Sequence, residues 1–176
     1  MVSATATATA QRVRPPQESE FGDEAYIPAA PLEAIADSLI AEHRASLGHI
    51  ADLQVAILWK KTGGKRGGHL VMGKTAKRGG LLAAFTTADF IIWLAADHVL
   101  EAGYTERQIK ALLHHELLHI GWQEPEEDDP NGEGKAVLVG HDFEFFAEEI
   151  RTYGAWEELL QEAAEAFAQA PLFDAD

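Results

Sequence analysis

Apolar residues recur at helical spacing in the middle of the chain, at Ile109, Leu112, Leu113, Leu117 and Ile120. Steps of three and four predict an amphipathic helix over 105–121. Thr105 and Gln108 form a T-x-x-Q capping box at its start, and Gly121 reads as its stop. Earlier, Leu32, Ile35, Leu39, Ile40 and Leu47 give the same period, so a helix is expected over 31–47, closed by Gly48. Two stretches rich in β-branched residues, 51–59 (ADLQVAILW) and 89–94 (DFIIWL), read as strands, the second with Leu81 as its earliest start. A short strand at 69–73 would close a hairpin with a long mobile loop, and 136–139 is a brief further strand. A helix is expected from His141 to about Tyr153, and a final amphipathic helix over 155–170. Helix, strands, then helices predict an α+β fold with a small sheet.

The ends change the picture little. Residues 1–25 open with an Ala/Thr run, continue with Arg-Pro-Pro and several acids, and read as a disordered tail. Tyr26-Ile27-Pro28 would pack at the edge of a single domain spanning 26–170, with 171–176 a short C-terminal tail. No apolar run approaches the length of a membrane span, and the start lacks the apolar core of a signal peptide. A cytoplasmic protein without a membrane partner is therefore expected.

Charge is uneven. The net is −15, but residues 1–123 hold 12 Lys/Arg against 13 Asp/Glu, whereas 124–176 hold 2 against 16. The acidic C-terminal third argues against nucleic acid as a partner. The stretch 60–80 is the opposite, with seven Lys/Arg, seven Gly and no acid. It has no P-loop and no interleaved aromatics, so a solvated loop is the expectation, with contact to an acidic partner as the alternative. The acidic loop 122–134 lacks the EF-hand pattern and reads as solvated.

With no cysteine, any metal must be held by His, Asp or Glu. His115-Glu116-Leu117-Leu118-His119 supplies the H-E-x-x-H pattern. A helix turns about 100° per residue, so His115 and His119 project from one face and can meet one Zn²⁺. Glu116 stands beside the metal and can act as general base on a water activated by zinc. The compact H-E-x-x-H-x-x-G-x-x-H form is excluded by Trp122 and Pro125. His141 is the leading third ligand, with Asp142 as the group that would orient its imidazole. Glu144 is the alternative third ligand, and Glu148 a further rival. Tyr153 is a candidate donor to developing oxyanion charge, although a buried structural tyrosine is favoured. His43 and His98 are expected to be structural, and His114, about 100° from His115, to be a poor co-ligand.

HHELLHIGW followed by GHDFEFFAEEIRTYG resembles the phage-type metallopeptidase domain, a zincin-like H-E-x-x-H family, over roughly 30–160. The resemblance implies zinc held by His115, His119 and His141, with Glu116 as the catalytic residue. It also implies a zincin-like fold: a small, mostly antiparallel sheet, an N-terminal helix, the metal helix and C-terminal helices. The resemblance says little about substrate; a protein or peptide is the expectation, in host cytoplasm if the chain is phage-encoded. The strand ahead of the metal helix is expected to form the sheet edge to which an extended peptide adds. The alternatives are a non-enzymatic, zinc-stabilised interaction module with an acidic C-terminal third, and a zinc-dependent nuclease.

Overall fold

The computed structural model describes residues 13–125, 134–141, 152–155 and 158–169. The backbone falls into two units, 1–139 and 140–176. The fold is α+β, and its sheets are small and mostly antiparallel.

In the first unit, β1 (Tyr26–Pro28), β2 (Val55–Lys60), β5 (Gly73–Lys77) and β6 (Phe90–Ala95) form a sheet of order β1-β2-β6-β5. The β2–β6 pair is parallel and its flanking pairs are antiparallel. Alternation along each strand sorts the residues by face. Ile57 and Trp59 on β2 are aligned with Ile92 and Leu94 on β6, and all four are buried. α1 (Ala30–Glu42) and α4 (Glu106–Leu118) cover this face, and Leu32, Leu39, Leu113 and Leu117 complete the core. On the opposite face the Lys60 ammonium lies 4.5 Å from the centre of the Trp93 ring, a cation–π contact that shields the indole.

Several expectations need correction. The segment 13–25 is packed: Val13 and Phe21 are buried, and Arg14 makes a two-pronged pair with Glu20. Phe21 provides the apolar surface that the Ala/Thr run lacks. The first helix ends at Glu42, and after His43 the chain resumes as the short α2 (Arg44–Leu47). The loop 60–80 is a folded hairpin, β3 (Gly64–Arg66) with β4 (His69–Val71), leading into β5. Gly67 and Gly68, both at positive φ, make its two-residue turn, the backbone that matches strand twist. Residues 80–84 form a 3-10 turn, so β6 does not start at Leu81. β6 also lies inside the sheet, and β5 takes the edge position.

α3 (Ala96–Glu101) links β6 to α4. α4 stops at Leu118, and the chain enters β7 (Ile120–Gln123) directly. Gly121 is therefore a strand residue. A Cβ there would lie 2.6 Å from Val139 Cγ1, so glycine permits the close pairing of β7 with β8 (Lys135–Leu138). In the second unit the described residues include α5 (Glu158–Gln169), an amphipathic helix lying within the expected 155–170. Among the described residues no helix is long and apolar enough to cross a membrane.

Candidate metal centre

Thr105 caps α4 as its sequence requires: the Gln108 amide donates to Thr105 Oγ1, and the Thr105 amide donates to Gln108 Oε1 at 2.9 Å. The cap fixes the helical phase. Ile109, Leu113, Glu116 and Leu117 then turn inward, while His115 stays exposed. His119 closes the helix as its C-cap, and its ring lies edge-on to His115 with centroids 5.0 Å apart.

His119 is oriented from behind. Its Nδ1–H donates to the Val139 carbonyl at 2.8 Å, and the Val139 amide donates to the His119 carbonyl at 2.9 Å. A carbonyl only accepts, so Nδ1 carries a proton, and Nε2 is the nitrogen left to act as a metal ligand. This is the arrangement of a metal-ligating histidine braced by a backbone carbonyl. The same pairing of β7 with β8 returns the chain to the end of α4, and His141 is the second residue past Val139. One ring nitrogen each from His115, His119 and His141 lies within 4.8 Å of the others. Three imidazoles with no thiolate are a donor set that fits zinc with one position left open.

Glu116 is buried, only 3% exposed, and forms part of the wall of a cleft of about 530 Å³ that also contains His115. Val71, Met72, Tyr104 and Leu112 make the apolar part of that wall. Thr75 Oγ1 lies 2.8 Å from Glu116 Oε2 and 2.7 Å from the Glu116 carbonyl. Gly73 supplies the space beside the carboxylate, since a Cβ there would stand 2.6 Å from Oε1. Neither residue stands out in the sequence. Only the alternation of β5, which places 73 and 75 on the core face, hints at them.

The remaining candidates sort by surroundings. His114 faces away from the cluster and stacks on His43 with centroids 4.4 Å apart. Its Nε2 is buried without a hydrogen-bond partner among the described residues. Burial, then the neighbouring His43 and Lys110, push its pKa down. His98 is buried and its Nδ1 bonds to the Val71 carbonyl at 3.0 Å, a structural role. His49, not considered from the sequence, braces β7 by a 2.6 Å bond to the Ile120 carbonyl. Tyr153 is 72% exposed, so the buried structural tyrosine is not what the chain has there. Asp142, Glu144 and Glu148 lie outside the described residues.

No curated protein and no solved structure matches the chain. A family model described as putative phage metallopeptidase matches residues 24–165, a span that takes in the capped helix, the cleft and all three histidines. With most of its length covered by that match, the chain belongs to the putative phage metallopeptidase family.

Proposed function

We propose that the chain is a zinc-dependent hydrolase of peptide bonds, with His115, His119 and His141 holding the metal and Glu116 as general base. One observation carries this reading: the buried Glu116 carboxylate opens on the same cleft as His115, beside a set of three converging imidazole nitrogens. When bound, zinc supplies Lewis-acid polarisation of the scissile carbonyl and lowers the pKa of the attacking water.

The protein's own groups do the rest. Val139 holds the His119 ring so that its lone pair faces out at Nε2. Glu116 accepts the proton of the attacking water and delivers it to the departing amine. The apolar wall of Val71, Met72 and Leu112 takes up a substrate side chain and excludes water from the carboxylate. β4 and the start of β5 line the cleft, and β5 is an edge strand of the sheet, suited to main-chain pairing with a peptide. Tyr153, exposed, is the candidate donor to the developing oxyanion.

The test is Glu116→Gln, assayed on a mixed peptide library with metal content measured in parallel. The variant should keep its zinc and lose hydrolysis by about 10²-fold or more. Full activity in that variant would overturn the assignment.

A further inference from the structure

We infer that Thr75 is the positioning residue for Glu116, holding Oε2 on the sheet side so that Oε1 is the oxygen that takes the proton. The inference rests on the reading of Glu116 as general base. It starts from an anomaly in the core face of the sheet. Ile57, Trp59, Phe90, Ile92 and Leu94 are all apolar and buried, and Thr75, aligned with Ile92, shares their face at 5% exposure. Valine has nearly the same shape and suits a buried strand at least as well. A hydroxyl there costs free energy unless it is hydrogen-bonded.

Its partners are both on Glu116. The single hydroxyl hydrogen can serve the carbonyl at 2.7 Å or Oε2 at 2.8 Å, one at a time. Either bond ties Glu116 to β5, and donation to the ionised carboxylate is the stronger kind. Gly73, two residues earlier on the same face, leaves room for the other oxygen. A side chain at that position would collide with Oε1, at 2.6 Å from its Cβ, and with Leu94 Cδ2 at 2.9 Å. Gly73 lines the cleft, whereas Thr75 does not. The two residues therefore give the carboxylate a buried oxygen against Thr75 and a cleft-side oxygen over Gly73. General-base transfer needs the accepting oxygen within hydrogen-bond reach of its proton, so an untethered carboxylate loses rate even where the metal is held.

The experiment compares the full-length wild type with Thr75→Val, which keeps the shape and removes the donor, and Thr75→Ser, which keeps the donor. Zinc content, kcat and KM on a cleaved library peptide, and atomic-resolution crystal structures are the readouts. Thr75→Val should keep its zinc and KM and lose roughly 10- to 100-fold in kcat. Its Glu116 carboxylate should leave the position over Gly73. Thr75→Ser should restore both the carboxylate position and most of the rate. An unmoved carboxylate with full kcat in Thr75→Val, or a Thr75→Ser as impaired as Thr75→Val, would overturn the inference. If the wild type cleaves no peptide, the proposed function fails, while the carboxylate positions in the three crystal structures still decide whether Thr75 orients Glu116.

Discussion

At the scale of single residues, the histidines are separated by what their ring nitrogens face. His98 and His119 each give Nδ1 to a backbone carbonyl. The His98 bond goes to Val71, so that ring braces the cleft wall from inside, and Gly63 is what admits it. A Cβ at Gly63 would stand 2.3 Å from the His98 ring and 2.9 Å from Ala95 Cβ. Gly63→Ala should destabilise the fold by about 1–3 kcal/mol, as overpacking does, measured by urea unfolding. A variant as stable as wild type would show that the ring moves freely. At the other end of the first unit, the Arg14 guanidinium and the Gln17 amide hold the Glu20 carboxyl down from the usual 4.5 to about 2. A depressed carboxyl stabilises the fold fully above its ordinary pKa, and that contribution is lost as pH falls from about 4.5 toward 2. Carbon-13 titration of Glu20 should find this low value in wild type. It should return toward the ordinary carboxylate range in Arg14→Gln, and an unchanged value in that variant would contradict the pairing.

At the scale of elements, α4 shows what was legible in the sequence. Its cap, its apolar stripe and the H-E-x-x-H pattern all depend on residues within one helical period, and each stands where the spacing put it. Its end did not follow, because Gly121 answers to Val139, a residue 18 positions later, and not to the helix. The same distinction holds in the sheet. The cores of β2 and β6 are written in local β-branched runs, but the central place of β6 depends on β5 pairing beyond it. Thr75 and Gly73 were invisible for that reason: their meaning comes from Glu116, about forty positions away, brought over them by helix packing. Gly67 and Gly68 were legible as a turn signal but were absorbed into a loop, since the strands they join are only three residues each. The helix should depend strongly on its inward face. Leu113 is fully buried against the sheet and α1, so Leu113→Ala should cost about 2–5 kcal/mol by denaturant titration. A loss well under 1 kcal/mol would mean that α4 is not seated on the core as described. Thr105→Ala, removing the cap, should cost about 0.5–2 kcal/mol in the same experiment.

At the scale of the whole molecule, the basic stretch 60–80 is largely spent on the fold. Lys60 lies over Trp93, Lys61 lies 3.6 Å from Glu18, and Arg78 reaches Asp89 at 3.9 Å. Lys77 donates to the Ala136 carbonyl, tying β5 to the β7–β8 pair, which His119 and Val139 flank. A run of cations that reads as one feature in the sequence thus becomes several separate ties in the fold, at least one of them close to the proposed site. The zinc proposed for the three-histidine site would be a larger tie. Ions that bind only the folded chain stabilise it by mass action, so removing zinc with a chelator should lower the melting temperature, and restoring it should reverse the change. The most direct test is metal content by mass spectrometry of the purified full-length chain and of His115→Ala, His119→Ala and His141→Ala. Close to one zinc per chain in wild type, with most of it lost in each variant, is the result expected from a three-histidine centre. A wild-type chain that takes up no zinc when supplied with it, or a His141→Ala variant that retains it in full, would contradict that centre.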